Sequence, residues 1–524
     1  RRTFNSYFVT HLPSSSLHPD SRSTSGGHHK LPRSASTPHT PAPGSSPAAA
    51  PPYTPSRDLT VVRIPLRSAK HHYGVANSRG QRGYNEDAHQ AGTLSIPAFA
   101  RRAPVSLVRS QMSKQAGEGT SADSAFGDPQ IFYFGVFDGH GGSECSEFLR
   151  DELHGYLEDT AAQFKLQSSL QKGPPGSPDD PKTDRKDAVA ETKTDVAAIE
   201  EGYAKAVQLE AELLEDYKRT VGGYFRRFRP SYFSVVPQTS VEDPCVDAPE
   251  QKPITVESVL TYAFLRADLD FITAQARKPD PDDAHASDFP LNKDEILGRP
   301  HLPPSGHGIG GPHRFKGGST ASIALISTPT PAPFWHPASH STLVAAHVGD
   351  TRILLAETAT GQPYPLTVDH HPSAPAESRR LRRFAESLIT DSFGEERIEG
   401  LANSRAFGDM QSKRIGVSAE PDLTRVELGP AQYAFLVLVS DGVSGTLSDQ
   451  EILDVIKEAR TPEEGARHVV EYATEVSADG DNATCLVVRL GGWERRSEGG
   501  VGSLGTKEMR DARRAEALDP RRRG

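Results

Sequence analysis

Hydrophobic positions change period several times along this chain, and each change predicts an element. Thr60-Val61-Val62-Arg63-Ile64-Pro65-Leu66 reads as a strand, and the apolar run over 129–137 as a stronger one. From about Ser143 to Gln163 the pattern shifts to threes and fours, with Cys145, Phe148, Leu149, Leu153, Tyr156 and Leu157 on one stripe. That predicts a helix. A second helix is predicted from Thr255 to Ala276, carried by Val256, Val259, Leu260, Ala263, Phe264, Ala267 and Phe271. Between them, 170–197 has no period and reads as a flexible insertion, with a helix possible over 198–217. Arg226-Arg227-Phe228-Arg229 reads as a solvated loop, with a partner contact as the alternative. Residues 278–314 are again rich in Pro, Gly and Asp.

The chain then becomes dense in strands: 318–327, 342–348, 352–357, 364–368, 423–428 and 434–440. Two helices follow. Ser448 with Glu451 forms a capping box, and Thr461, Pro462 and Glu464 supply an N-cap, an N1 proline and a second box. A last strand is predicted from Ala483 to Leu490, and a charged, disordered tail over 493–524. Strands, helices, many strands, helices, strand is not βαβ alternation. It predicts antiparallel sheets with segregated helices, an α+β plan.

Composition narrows the picture. Of 524 residues, 35% are hydrophobic by a count that leaves out glycine, and 45 are Gly and 42 Pro. Much of the chain is therefore expected to be loop. The net charge of −10 gives no basic field for nucleic acid. No apolar run reaches the length of a membrane span. The widely spaced Cys145, Cys245 and Cys485 provide neither a disulfide framework nor a thiolate zinc site. Residues 1–57 are rich in Ser, Pro, His and Arg and contain one acid, Asp20. This segment is expected to be disordered and reads as a mitochondrial presequence, with an ordinary tail and a cytoplasmic location as the alternative.

Three apolar strands end in an acid beside glycine: Phe137 leads to Asp138-Gly139, Val348 to Gly349-Asp350, and Ser440 to Asp441-Gly442. Asp481 stands just before the strand from Ala483. Any one Asp-Gly alone reads as a turn. If 434–440 and 483–490 pair antiparallel, however, Asp441 and Asp481 share a rim that Asp138 can join. Clustered carboxylates raise one another's pKa unless a positive charge intervenes. A hard cation with all-oxygen ligands, Mg²⁺ or Mn²⁺, answers that need. His347, inside a strand, reads as a core or sheet-face residue. His370 and His371 read as turn residues.

These residues carry a resemblance. Arg82-Gly83-Tyr84-Asn85-Glu86-Asp87-Ala88-His89, Asp138-Gly139-His140-Gly141-Gly142, Gly317-Gly318-Ser319-Thr320-Ala321 and Gly349-Asp350-Thr351-Arg352 stand in order. Leu366-Thr367-Val368-Asp369-His370, Leu401 to Asp409, Ser440-Asp441-Gly442 and Asp481-Asn482-Ala483-Thr484 follow. The set resembles the metal-dependent protein phosphatase 2C family, and its N-terminus and insertions are most like a fungal mitochondrial branch. The resemblance implies a four-layer αββα sandwich of two antiparallel sheets flanked by helices, with a dinuclear metal site at one end. It implies a catalytic domain over 58–492, with insertions at about 165–254 and 278–314. Asp138 would bridge two cations and Gly139 would offer its carbonyl. Asp441 and Asp481 would complete the second site, Glu86 and Asp87 would hold metal-bound waters, and Asp350 matches the acid of a weaker third metal. Arg82 would clamp the phosphate, which a bidentate guanidinium does and Lys does not. His140 would protonate the departing seryl or threonyl oxygen.

The activity implied is protein serine/threonine phosphatase chemistry by an activated water, without a phosphoenzyme. Its substrate would be a phosphorylated protein, with a mitochondrial matrix enzyme as one candidate, and the chain would act as a monomer. A catalytically silent scaffold and a small-molecule phosphoesterase are the alternatives. The chain departs from the family pattern at Val443-Ser444-Gly445, at Asn403 and in a short loop from Asp409 to Glu420.

Overall fold

The computed structural model describes residues 7–13, 59–65, 72–101, 128–170, 188–234, 254–276, 278, 309–311, 313–330, 332–382, 388–390, 396–398, 400–496 and 503–517. The main strands are β1 (Tyr73–Ser78), β2 (Ala88–Leu94), β3 (Ile131–Phe137), β4 (Ala321–Ser327), β5 (Ser341–Val348), β6 (Arg352–Glu357), β7 (Pro363–Pro365), β8 (Asp422–Leu428), β9 (Tyr433–Val439) and β10 (Ala483–Arg489). The helices are α1 (Glu144–Gln163), α2 (Ala188–Thr220), α3 (Val256–Ala276), α4 (Pro375–Leu381), α5 (Asp449–Glu458), α6 (Pro462–Val476) and α7 (Ser503–Ala517). One five-stranded sheet runs β7-β6-β9-β10-β1 and the other β8-β5-β4-β3-β2. Every pairing within them is antiparallel.

Strands such as β3 are apolar at both parities because both faces are covered. Phe132, Phe134 and Val136 point between the sheets, against Ile353, Leu355, Leu436 and Leu438. Tyr133 and Phe137 point the other way, to Leu149 and Leu153 of α1 and Leu260 and Phe264 of α3. On the second sheet, Phe435, Val437 and Val439 face Leu453 and Ile456 of α5 and Val469 and Ala473 of α6. The order of layers is therefore αββα, as the resemblance implies.

Local signals act as their chemistry requires. The Ser448–Glu451 capping box is complete. Thr461 accepts from the Glu464 N–H, but the Glu464 carboxylate takes the N–H of Arg460 rather than that of the cap residue.

Several expectations need correction. Helix α2 starts at Ala188, inside the stretch read as flexible, and runs to Thr220. Ala206, Leu213 and Tyr217 are buried along it, a sparse stripe that pattern reading undervalues. Arg226 to Arg229 is no solvated loop. It lies in and just after a 3-10 turn (Gly223–Arg227) with Phe225 and Phe228 buried, and Phe225 stacks on Tyr217 at 4.5 Å. The three arginines point outward. The strand expected over 364–368 ends at Pro365, and Val368 is exposed.

Tyr7–Pro13, expected as disordered, is a strand paired antiparallel with Leu59–Pro65. Most of the segment read as a presequence, residues 1–6 and 14–57, lies outside the described residues, as do 171–187, 235–253 and 279–308 of the segments read as insertions. The tail is ordered in part. Trp493 is buried against Phe435, and α7 docks by ion pairs: Arg513 to Glu451, Arg510 to Glu458 and Arg514 to Glu475. Its partners lie on α5 and α6, so a charge run read alone looks merely solvated. Among the described residues no helix is long and apolar enough to cross a membrane.

Candidate metal centre

Val439 of β9 stands opposite Cys485 of β10. The end of β9 and the start of β10 therefore meet at one rim, which brings Asp441 and Asp481 there. Asp138 arrives from the end of β3, and Asp350 from the turn between β5 and β6. One carboxylate oxygen from each of Asp138, Asp350 and Asp441 lies within 4.8 Å of the others. The Asp441 N–H also donates to Asp138 Oδ2 at 3.1 Å.

Backbone contacts fix these positions. The Asp138 N–H donates to Thr320 Oγ1 at 3.0 Å, and the Asp138 carbonyl accepts from the Thr320 N–H at 2.8 Å and from Ser319 Oγ at 3.0 Å. Gly349 turns the chain toward Asp350 at φ 109°, where an added Cβ would lie 2.5 Å from Thr320 Cγ2. Its N–H donates to His370 Nδ1 at 3.0 Å, and His370 Nε2 binds Asp422 at 3.0 Å. His370 thus braces the Asp350 turn, a larger role than sequence assigned it. His347 is a core residue as read, bonded to Ser322 Oγ and the Val368 carbonyl.

Burial and mutual repulsion dominate the electrostatics. Burial, then Asp441, Asp87 and Asp350, drive Asp138 well above the carboxylate range. Burial and Asp441 push Asp350 up to about 7, opposed by a hydrogen bond from the Asn403 side chain. Asp441 and Asp87 are each pushed up to about 6, again mainly by burial. Asp87 Oδ2 accepts from Thr484 Oγ1 at 2.7 Å and Ser440 Oγ at 2.9 Å, while its Oδ1 is buried with no partner. Among the described residues none of these four acids makes an ion pair. A buried, unsatisfied carboxylate oxygen beside three converging ones fits a divalent cation with oxygen ligands.

The remaining site residues stand around this group. Asp481 lies outside it, paired with Arg82 Nη2 at 2.9 Å, both side chains being solvent-accessible, and it still raises Asp441 and Asp87. The Glu86 carboxylate accepts the Gly142 N–H. Gly139 forms a short bridge beside Ser319. His140 Nε2 lies 2.8 Å from Asp409 Oδ1. Burial is the largest influence and opposes a charged His140 ring, but the Asp409 hydrogen bond together with the charges of Asp409, Asp350 and Glu86 outweighs it and raises the pKa. Asn482 clamps the 79–86 loop: its Nδ2 donates to the carbonyls of Arg79 and Tyr84, and its Oδ1 accepts the Glu86 N–H. Sequence reading assigned no roles to Asp409, Asn482, Thr484, Ser440 or Thr320, although each stands within a motif it quoted.

The family model described as protein phosphatase 2C matches residues 311–481. Protein phosphatase 2C homolog 4 of Schizosaccharomyces pombe is 30% identical over 447 residues, covering 85% of this chain and 86% of that protein. Protein phosphatase 1K, mitochondrial, of Xenopus laevis is 35% identical over 185 residues, 35% of this chain and 46% of that protein. Among solved structures, serine-threonine phosphatase 2C from Toxoplasma gondii aligns with a TM-score of 0.44 at 18% identity, covering 80% of this chain and 94% of that one.

Proposed function

The chain belongs to the protein phosphatase 2C family, and from that premise we propose that it hydrolyses phosphoserine and phosphothreonine in proteins, using Mg²⁺ or Mn²⁺ held at the acidic rim. The observation that carries this reading is the convergence of Asp138, Asp350 and Asp441 beside the unpartnered Asp87 Oδ1. Asp138, Asp441, Asp350 and Asp87 would hold the cations, with the Gly139 carbonyl as a further ligand and Asp481 and Glu86 at their margin. Bound cations would supply charge neutralisation and an activated water nucleophile there.

The chain's own groups do the rest. Arg82 leaves Asp481 to grip two phosphate oxygens by parallel hydrogen bonds. His140 gives a proton to the seryl or threonyl oxygen as the P–O bond breaks, so the product leaves as an alcohol. No covalent intermediate on the protein is needed. The catalytic unit in this reading spans 58–492, with 165–254 and 278–314 as insertions. We place the chain in mitochondria, which the acid-poor N-terminus and the printed name of the Xenopus relative support.

The test is phosphate release from a phosphoserine peptide with and without Mg²⁺ or Mn²⁺, beside phosphorylated metabolites. Cation-dependent release from the peptide, lost in Asp138→Asn, is expected. Equal activity of Asp138→Asn and wild type contradicts the reading, and turnover confined to metabolites contradicts its substrate class.

A further inference from the structure

Asp409, which closes the motif from Leu401, has no part in the rim, yet it holds the ring assigned above as the acid. Its two carboxylate oxygens lie 2.8 and 3.0 Å from His140 Nε2. A carboxylate at this distance accepts, so Nε2 carries hydrogen. Nδ1 has no hydrogen-bond partner among the described residues. With Nε2–H fixed, Nδ1 is the nitrogen left to pass a proton to a leaving oxygen.

Asp409 itself is held from behind. It is 5% exposed and sits at φ 41°, a left-handed conformation that Asp and Asn adopt more readily than other non-Gly residues. Its carboxylate fills the space where Gly318 lacks a Cβ: one added there would lie 2.2 Å from Asp409 Oδ2. The neighbouring Gly408 N–H donates to Asp268 Oδ1 at 3.0 Å. Asp268 is locked to Lys413 at 2.8 Å, both side chains fully buried, and Lys413 Nζ also donates to the Ala406 carbonyl. The fourth member comes from the insertion: the Tyr217 hydroxyl of α2 lies 3.0 Å from Asp268 Oδ2 and 2.7 Å from the Leu265 carbonyl, and its one proton is shared between them. A continuous buried network thus runs from the inserted helix to the ring.

We propose that Asp409 is the positioning residue of His140, presenting Nδ1 to the leaving group, and that α2 supports this geometry through Tyr217 and the Asp268–Lys413 pair. This rests on the reading of His140 as general acid. In the step, the phosphorus–oxygen bond breaks, its electron pair stays on the departing oxygen, and that oxygen takes the Nδ1 proton. The ring is left neutral, with hydrogen on Nε2 facing Asp409.

The experiment compares kcat on a phosphoserine peptide with kcat on p-nitrophenyl phosphate, whose phenolate leaves without a proton, in the full chain with Mn²⁺. Asp409→Asn suits it because Asn tolerates the left-handed backbone. The peptide-to-aryl ratio is expected to fall about ten- to a hundredfold with KM unchanged, reaching at most the lower end of the roughly 10²–10⁴-fold a general acid supplies. Tyr217→Phe is expected to lower the same ratio less. His140→Gln/Asp409→Asn is expected to be no slower than His140→Gln alone. A readout independent of activity is the ¹⁵N spectrum of His140 without metal: Nε2-protonated in wild type, with that preference lost in Asp409→Asn. Equal losses on both substrates, additive losses in the double variant, or an unchanged ¹⁵N pattern overturn the proposal. A wild type inactive on both substrates overturns the proposed function instead. A split in His140→Gln without one in Asp409→Asn overturns this inference alone.

Discussion

Two clusters of buried acids in this chain titrate in opposite directions. Glu377 is 2% exposed, more hidden than Asp138, yet its pKa is driven far below the usual carboxylate range. Burial opposes that shift, and Arg380 and Arg405 overcome it, with ion-pair distances of 2.6 and 2.7 Å. Asp138 has no such partner and is driven upward by burial and three neighbouring acids. Depth therefore does not separate the clusters; fixed cations do. The Glu377 cluster is neutralised by its own side chains and braces the fold. The rim lacks that charge, which the proposed cations would supply.

The sharpest way to break this contrast is to remove one acid from each cluster. Asp138→Asn is expected to bring cation-dependent phosphopeptide turnover down to background, without lowering the unfolding temperature of the metal-free chain, because it removes a carboxyl whose charged form burial and the neighbouring acids disfavour. Glu377→Gln is expected to do the reverse, costing about 3–5 kcal/mol in denaturant unfolding by leaving Arg380 and Arg405 short of a buried partner. A destabilised Asp138→Asn and a neutral Glu377→Gln would erase the distinction.

Acidity sharpens it next. Asp87 and Asp441 near 6 and Asp350 near 7 lie above the ordinary aspartate value of 3.8, so the folded, cation-free chain binds protons more tightly than the unfolded one. The stability this lends is complete below about pH 4 and drains away as pH rises through 6 and 7. Glu377 has the opposite sign: its contribution is present above the ordinary Glu value and is lost on acidification. In chelator, the unfolding temperature is expected to fall from pH 5 to pH 8, and saturating Mg²⁺ should abolish that fall. A slope indifferent to Mg²⁺ would count against the rim as a cation site.

The smallest effect is expected from Thr484→Ala, which takes one of two hydroxyls from Asp87 Oδ2. Its cost should be about 10–100-fold in cation affinity by calorimetry, the usual range for outer partners of a ligand.

The legible part of the site was local. An apolar run ending in Asp-Gly can be seen in a few residues, and antiparallel pairing of the strands at 434–440 and 483–490 brings Asp441 and Asp481 to one rim. Which acid faces the gap was not local. Asp481 is drawn aside by Arg82, 399 positions away, and Asp350 takes the place beside Asp138 and Asp441. Asn403, noted only as a departure, turns out to hydrogen-bond Asp350. Asp409 depends on a left-handed backbone and on the missing Cβ of Gly318, neither visible in its own motif. Helix α2 was read only over 198–217, short of its start at Ala188, and α7 escaped notice because its face is matched by distant partners rather than by a dense apolar stripe.

The most direct test of the rim as a cation site is Mn²⁺ anomalous scattering from crystals of the full chain. The account predicts density bounded by Asp138, Asp350 and Asp441 that vanishes in Asp138→Asn. Manganese bound elsewhere with this gap empty, or density unchanged in Asp138→Asn, would contradict it.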